Sequence, residues 1–188
     1  MLSPLRVNTQ AGVIALNKRL REIANPFSME KSEWKTSSML FRLGDKVMQT
    51  KNTEEISNGD IGVASEIRYS KGGDRQMTVS FGELQRNYSE EDLSILEHAY
   101  AISIHKSQGG EYPVVILPVL TCFYPMLKRN VYYTGITRAK SKVYLIGSRK
   151  ALSIAISSSD AGKRNTMLAW RIRQEADQAG YKPGKKAA

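Results

Sequence analysis

The hydrophobic pattern of this chain changes twice along its length. Near the N-terminus, apolar residues recur at helical spacing, which predicts an amphipathic helix that ends near Asn25-Pro26. Residues 39 to about 96 instead read as short strands separated by Asn-Gly-Asp and Lys-Gly-Gly-Asp turns, which indicates a small antiparallel β unit. Closure of this unit into a small barrel would protect its edge strands.

Longer apolar runs follow the β unit. Residues 114–120 and 143–147 are typical of buried strands in a parallel sheet, and helices are predicted at 131–140, 149–157 and 166–179. Because strands alternate with helices, the pattern favours an α/β layer interrupted by the β unit. The predicted boundaries are 1–36 and 97–188 for the α/β domain and 37–96 for the insert, with 181–188 as a disordered tail.

Charge and composition narrow the function classes. The 188 residues suffice for one ordinary domain with a small insert, and 28 Lys plus Arg against 18 Asp plus Glu give a net charge of +10. This surplus favours a polyanionic partner, nucleic acid first, although a solvated basic surface with a basic tail is the alternative. No apolar run approaches the roughly 20 residues of a membrane span, so we expect a cytoplasmic protein without a membrane partner.

Cysteine and histidine usage argues against a metal site. The single cysteine, Cys122, has no partner for a disulfide, and His98 and His105 show no recognisable metal-ligand spacing. We therefore predict that this chain binds no metal and that Cys122 is a core residue.

A dense polar stretch lies between two apolar runs in "AISIHKSQGGEYPVVIL". Its donors suit contacts to phosphate and sugar, and they are His105, Lys106, Ser107 and Gln108. Gly109 and Gly110 would let the backbone approach a ligand closely, and Glu111 could accept a ribose hydroxyl. A polar surface turn is an equally good interpretation of these residues alone.

The second candidate stretch is "NVYYTGITRAK". We interpret it as a helix that carries Thr134, Thr137, Arg138 and Lys140. A fixed arginine can neutralise charge that develops on a transferred γ-phosphoryl group, so Arg138 is a candidate arginine finger. The alternative is a cation that pairs with the helix dipole or a carboxylate. Tyr132 and Tyr133 are predicted to pack in the core rather than to stack on bases.

The β unit offers a second set of polar side chains. A strand-binding groove could be lined by Lys46, Gln49, Lys51 and Asn52, together with Arg68, Lys71, Arg75 and Arg86. A solvated barrel face explains the same residues. The chain contains no GxxxxGK[ST] phosphate loop and no acidic pair after a hydrophobic strand, so alone it is not expected to hydrolyse a nucleotide efficiently.

Taken in order, these stretches resemble a known family. "AISIHKSQGGEYPVVILPV" is similar to motif V of superfamily 1 helicases, and "NVYYTGITRAKSKVYLIG" is similar to their motif VI. The forms "HKSQG" and "YTGITRAK", with "LGDKVMQTKN" and "NGDIG" before them, resemble the RecD-like branch, which includes the exodeoxyribonuclease V alpha subunit. The resemblance covers residues 1 to about 152.

The resemblance implies a fold and an activity. It implies a RecA-like second motor domain, related to P-loop NTPases but without a Walker A motif, into which an SH3-like barrel is inserted. It also implies that the complete enzyme uses ATP with Mg²⁺ to translocate 5′ to 3′ on single-stranded DNA during DNA repair and recombination. The implied partners are single-stranded DNA, an N-terminal RecA-like motor domain and the subunits of a nuclease complex.

Carried over by position, the resemblance assigns roles to individual residues. The implied nucleic-acid contacts are Ser103, His105, Lys106, Ser107, Gln108 and Thr137, with Lys46, Gln49, Lys51 and Asn52 from the β unit. Gly110 and Glu111 would approach the nucleotide, and Arg138 would be the γ-phosphate arginine. Relatives often have serine at the position of Gly110, which leaves only a backbone contact there.

The missing phosphate loop indicates the C-terminal part of a longer helicase. The alternatives are a stand-alone module that binds single-stranded nucleic acid and the helicase portion of a conjugative relaxase.

Overall fold

The computed structural model describes residues 1–69, 74–158 and 167–179. The strands are β1 (Leu2–Ser3), β2 (Glu33–Lys35), β3 (Leu40–Arg42), β4 (Lys46–Gln49), β5 (Ile61–Tyr69), β6 (Arg75–Phe81), β7 (Leu84–Tyr88), β8 (Leu96–His98), β9 (Ile102–Ser103), β10 (Tyr112–Val119) and β11 (Ala139–Gly147). The α-helices are α1 (Val13–Ala24), α2 (Arg129–Ile136), α3 (Arg149–Ser157) and α4 (Leu168–Gln178). Residues 1–158 form one compact unit, and α4 belongs to a second.

Helix α1 confirms the helix predicted from the N-terminal apolar spacing. It begins after Gly12 and ends at Asn25, whose N–H donates to the Arg21 carbonyl, directly before Pro26. Asn17 lies on its buried face and exchanges two hydrogen bonds of 2.8 Å with the backbone of Ala101. The helix is therefore fixed to the segment that leads into the polar stretch.

The β unit forms an antiparallel sheet of five strands in the order β7-β6-β5-β4-β8, and β2 and β3 form a hairpin beside it. Its core contains Trp34, Phe41, Val47, Met77 and Tyr88, all at most 1% exposed. Trp34 comes before the predicted start of the insert at residue 37. The same core also includes Leu96 of β8, which pairs with β4 as the last strand at that edge of the sheet.

The two long apolar runs form the predicted parallel pair, but the expectation that both strands are buried is wrong for residues 143–147, because Leu145 and Ile146 of β11 are 41% and 56% exposed. Strands β10 and β11 run side by side in the register Val115↔Val143 and Leu117↔Leu145. Strands β1 and β9 form a second parallel pair, which the sequence had not indicated. Helix α3 has the predicted bounds, and the described helix α4 lies inside the predicted 166–179. The α/β layer interrupted by a β unit is thus confirmed.

The helix predicted over 131–140 is wrong at its C-terminal end. Helix α2 ends at Ile136, Thr137 follows as its C-cap, and β11 already begins at Ala139. The Arg138 carbonyl accepts a hydrogen bond of 2.8 Å from the N–H of Tyr112, so sheet pairing replaces the helical bonds at this point. Lys140 consequently lies on a strand.

Two packing predictions are also corrected. Cys122 is exposed, because Phe123 takes the buried position in the short 3₁₀ helix Thr121–Met126. Tyr132 is buried as predicted, but Tyr133 is 68% exposed because it lies on the opposite side of α2. Within the described residues, none of the helices has the length and apolar character needed to cross a membrane.

Candidate nucleic-acid interface

The polar stretch is a tightly wound loop between β9 and β10. Backbone bonds run from the N–H of Ser107 to the Ser103 carbonyl at 3.1 Å and from the N–H of Gly110 to the Ser107 carbonyl at 3.1 Å. The Ser103 hydroxyl accepts from the N–H of Lys106 at 3.2 Å. These hydrogen bonds fix the backbone of the loop and thereby the direction of its side chains, so the loop has a defined conformation.

The loop divides its side chains between solvent and core. His105 and Gln108 are exposed, and Lys106 is partly exposed. Ser107 is fully buried and its hydroxyl donates to the Ile104 carbonyl at 2.7 Å. This corrects the expectation that the Ser107 side chain contacts nucleic acid, since its hydroxyl proton is used inside the loop. Its role here is to hold the turn.

The two loop glycines differ in their surroundings. Gly109 has φ +84° and open space where a Cβ would lie, so a residue with a side chain would be strained but not crowded. A Cβ on Gly110 would lie 3.0 Å from the Tyr112 hydroxyl oxygen. Burial raises the pKa of Tyr112, although the charge of Arg138 opposes this shift. The Tyr112 ring therefore occupies the space beside Gly110.

Arg138 meets the loop at Gly110. Its Nη1 donates to the Gly110 carbonyl at 3.4 Å, its Nε donates to the Thr134 carbonyl at 3.3 Å, and its Nη2 donates to the Thr137 hydroxyl at 3.4 Å. All three hydrogen bonds are longer than the usual 2.7–3.2 Å, so the guanidinium is held weakly. Beside it, Glu111 forms an exposed ion pair of 3.1 Å with Lys140.

Three of the four predicted β-unit residues are exposed, namely Lys46, Lys51 and Asn52. The fourth, Gln49, is fully buried: its Nε2 donates to the Thr53 hydroxyl at 3.0 Å and its Oε1 accepts from the Tyr88 hydroxyl. The expectation that the Gln49 side chain contacts nucleic acid is corrected, because both ends of its amide are used inside the β unit. Burial raises the pKa of Tyr88 to about 12.

The exposed β-unit residues adjoin the polar loop. A Cβ on Gly59 would lie 4.0 Å from the Lys106 carbonyl, so the β4–β5 loop reaches the polar loop. Asn52 fixes the β4–β5 loop by accepting from the N–H of Asn58 at 2.7 Å. Lys51 and His105 thus belong to two loops that lie next to each other.

The remaining predicted groove residues have other contacts. Arg75 stacks over Tyr69 at 4.8 Å, and Arg86 stacks over the Tyr88 ring at 5.1 Å. Arg68 forms an ion pair with Glu66, and Lys71 lies outside the described residues. These arginines are arranged along the β-unit sheet rather than around the polar loop.

A buried polar network connects α1 to the β unit, and sequence reasoning missed it. Asp45 is fully buried, and its oxygens accept hydrogen bonds from Arg21 Nε at 2.8 Å, the Arg42 N–H at 2.8 Å, Asn25 Nδ2 at 2.8 Å and the Tyr100 hydroxyl at 3.0 Å. Burial alone would raise the pKa of Asp45, but His98, whose Nε2 lies 3.4 Å from Oδ2, a hydrogen bond from Asn25 and the charge of Arg21 lower it to about 2. Val13, Asn17 and Arg21 follow one another at helical spacing on the buried face, which was an available signal.

A second missed element is a carboxylate shared by two cations. Glu97 of β8 pairs with Arg6, and Lys106 of the polar loop lies 3.9 Å away. Hydrogen bonds from Arg6 lower the pKa of Glu97, although burial opposes the shift. Among the described residues, no group of three or more His, Cys, Asp and Glu side chains could hold a metal ion.

Two protein families match successive parts of the chain. Residues 16–81 match the ATP-dependent RecD-like DNA helicase SH3 domain, and residues 98–146 match the UvrD-like helicase C-terminal domain. These ranges include most of the β unit and the polar loop with Arg138. The insert and the α/β layer are thus an SH3-like barrel in a RecA-like domain.

Whole proteins from bacteria match most of the chain. It is 33% identical over 175 residues to the ATP-dependent RecD2 DNA helicase of Deinococcus radiodurans and 32% identical over 157 residues to the RecBCD enzyme subunit RecD of Haemophilus influenzae. The matches cover 92% and 82% of this chain but only 23% and 22% of the relatives, so the chain spans less than a quarter of their length.

A solved structure has the same fold. The Pif1 helicase from Candida albicans superimposes with a TM-score of 0.50 at 16% identity, over 81% of this chain and 48% of that one. Together with the two family matches, this shows the architecture independently of close sequence similarity. The chain belongs to the RecD-like superfamily 1 DNA helicase family.

Proposed function

We propose that this chain is the C-terminal part of a cytoplasmic, ATP-dependent 5′ to 3′ DNA helicase that acts in DNA repair and recombination. One observation supports the assignment most strongly: the two motif-like stretches meet where β10 and β11 begin, with the Tyr112 N–H donating to the Arg138 carbonyl at 2.8 Å and Arg138 Nη1 lying 3.4 Å from the Gly110 carbonyl. The candidate nucleotide-facing residues therefore adjoin a loop whose other residues face solvent.

On the nucleic-acid side, the proposed contacts come from two neighbouring loops. His105, Lys106 and Gln108 would contact the backbone of single-stranded DNA, and Lys51 and Asn52 of the β4–β5 loop would extend the track. Ser103 and Thr137 would shape or flank it, and Lys46 lies exposed on β4. The net charge of +10 favours such binding through counterion release.

On the nucleotide side, the residues fit an arginine-finger role. The long hydrogen bonds of Arg138 end on neutral acceptors, so a γ-phosphate would displace them at low cost. Gly110 presents its backbone, and Lys140 neutralises Glu111. ATP with Mg²⁺ supplies the γ-phosphoryl group and is assigned mainly to an N-terminal RecA-like motor domain. This chain would align Arg138 with that group and exclude misplaced nucleotides.

The names of the relatives support two classes of partner protein. The Deinococcus relative is named as an ATP-dependent DNA helicase, whereas the Haemophilus relative is named as a subunit of the RecBCD enzyme. We infer an N-terminal motor domain as the obligatory partner, with nuclease-complex subunits as a further partner class.

The test is ATP hydrolysis by this chain together with its N-terminal motor domain. Arg138→Ala is expected to reduce DNA-stimulated kcat by about 10³-fold or more, the effect of removing an arginine finger. Arg149→Ala, an exposed arginine at the start of α3, is the matched control and should leave kcat within twofold. Equal rates for Arg138→Ala and the control would refute the finger role.

A stand-alone module that binds single-stranded nucleic acid is the second candidate, because the β4–β5 loop with its exposed Lys51 and Asn52 adjoins the polar loop within this chain. Fluorescence titration of this chain with oligo(dT) at two salt concentrations tests it. Strong, steeply salt-dependent binding without a partner, combined with no ATPase gain from the motor domain, would favour the module over the helicase part.

A further inference from the structure

The carboxylate of Glu97 lies between two cations that it binds very differently. Arg6 engages it with both ends of its guanidinium, Nη1 to Oε2 at 2.9 Å and Nη2 to Oε1 at 2.5 Å. Lys106 Nζ lies 3.9 Å from Oε2, beyond hydrogen-bond distance. A two-point guanidinium–carboxylate pair is the stronger of the two interactions, so Arg6 holds Glu97 and Lys106 is nearly released.

All three residues are attached to fixed backbone. The Arg6 carbonyl accepts from the N–H of Ile14 at 3.1 Å at the start of α1. Glu97 is held by the pairing of β8 with β4, and the N–H of Lys106 donates to the Ser103 hydroxyl. The fold therefore places the three side chains together, and Arg6 and Lys106 compete for the carboxylate of Glu97.

We propose that Arg6 is a positioning residue that keeps Lys106 available for a nucleic-acid phosphate by occupying Glu97. The inference depends on the proposed function, since it requires that Lys106 contacts the phosphate backbone. Without Arg6, the free Glu97 carboxylate would draw Lys106 into a direct ion pair. A phosphate would then have to compete with that carboxylate for the same ammonium group.

Position and exposure fit an indirect role for Arg6. Its side chain is about half exposed, but both donor ends of its fork are used by Glu97, whereas Lys106 belongs to the loop proposed to track the DNA backbone. To contact a phosphate directly, Arg6 would first have to break its two hydrogen bonds to Glu97. Lys106 has only a 3.9 Å contact to give up.

The test is a double-mutant cycle on this chain, read as the affinity for fluorescein-labelled oligo(dT) over a range of salt concentrations. Lys106→Gln should weaken binding several-fold at low salt and lower the slope of log K against log salt by about 0.7, the loss of one phosphate contact to a single strand. Arg6→Gln should reproduce most of both effects. In the Glu97→Gln background, Arg6→Gln should change affinity and slope no more than the charge control Arg19→Gln does.

Arg19→Gln is the matched charge control. Like Arg6→Gln, it removes one positive charge, here from Arg19 of α1, which among the described contacts donates only to exposed Gln10. It should change affinity equally with and without Glu97→Gln. Arg6→Lys keeps the charge but not the two-point pair, so an intermediate affinity is expected. If thermal unfolding shows that Arg6→Gln does not fold, Arg6→Lys with and without Glu97→Gln provides the same comparison.

The outcomes separate the inference from the proposed function. Equal weakening by Arg6→Gln with and without Glu97 would mean that Arg6 contacts DNA directly, which overturns the positioning role. No effect of Arg6→Gln beyond that of Arg19→Gln would also overturn it. If Lys106→Gln itself leaves affinity and salt slope unchanged, the proposed DNA contact fails, and the inference fails with it.

Discussion

Replacing Asp45 by Asn tests how the SH3-like barrel is fixed to the rest of the chain. The substitution keeps the size of the side chain but removes its charge from a site where Asp45 has no solvent exposure. Arg21 Nε, at 2.8 Å, then loses its charged partner while remaining buried itself. Arg21 then keeps only the exposed Glu22, whose Oε1 lies 3.6 Å from Nη1, and Arg21 Nη2 lacks a hydrogen-bond partner among the described residues.

The expected loss follows from this geometry. Removing one partner of a buried ion pair costs about 3–5 kcal/mol, because an uncompensated buried charge remains. The new amide must also turn an N–H₂ group toward one of several donors, which adds to the cost. Urea unfolding at pH 7 measures the change in the free energy of unfolding. Glu66→Gln, which breaks the exposed pair with Arg68, is the matched control and should cost less than about 1 kcal/mol.

The same carboxylate predicts how stability depends on pH. Because the pKa of Asp45 is lowered to about 2 in the folded chain, its ionised form stabilises the fold above its unfolded pKa of roughly 3.9. That contribution, on the order of 2 kcal/mol, is lost as the pH falls from about 4 to about 2. Asp45→Asn should show a shallower loss over this range. A destabilisation below about 1 kcal/mol at pH 7, or an unchanged acid profile, would refute the proposed energetics.

Two further substitutions test other structural conclusions. Gly147→Ala should unfold or strongly destabilise the chain, because the added Cβ would lie 1.8 Å from the Val119 carbonyl oxygen in the paired strand. The control Gly82→Ala, whose Cβ would meet no atom within 4 Å, should cost only about 1 kcal/mol of stability by thermal unfolding. Equal costs for the two substitutions would contradict the contact at Gly147. Gln49→Ala should lower the free energy of unfolding by about 2 kcal/mol, because it leaves the buried Tyr88 hydroxyl unpaired. Lys51→Ala should instead weaken oligo(dT) binding without destabilising the fold. If Gln49→Ala weakened binding and left stability unchanged, Gln49 would be a DNA contact after all.

Hydrophobic periodicity predicted the elements whose partners are close in sequence or whose apolar runs are long. Helix α1, helix α3 and the parallel pair of β10 and β11 followed from it. It did not predict where an element ends when hydrogen bonds to a distant segment determine that end. Nothing local distinguishes Arg138 from one more helical residue, and it is the hydrogen bond from Tyr112 that starts the strand there.

Polar side chains were the harder part to predict. Ser107 and Gln49 looked like surface donors because their types usually are, yet both are fully buried with satisfied hydrogen bonds. Pairing across long sequence distances also has no local signal. Arg6 and Glu97 are 91 residues apart, and Asp45 and Tyr100 are 55 apart, so only the folded topology brings them together.

Strand β8 unites these distant interactions within three residues. Leu96 lies in the barrel core, and His98 lies 3.4 Å from Asp45 Oδ2. Glu97, between them, holds Arg6 and approaches Lys106 of the polar loop. Because alternate side chains of a strand point to opposite faces, a displacement of β8 with the barrel would move Glu97 relative to the loop. The SH3-like barrel can therefore influence the proposed phosphate contact of Lys106 through Glu97, in addition to its own proposed contacts with DNA, because Lys106 lies 3.9 Å from the Glu97 carboxylate.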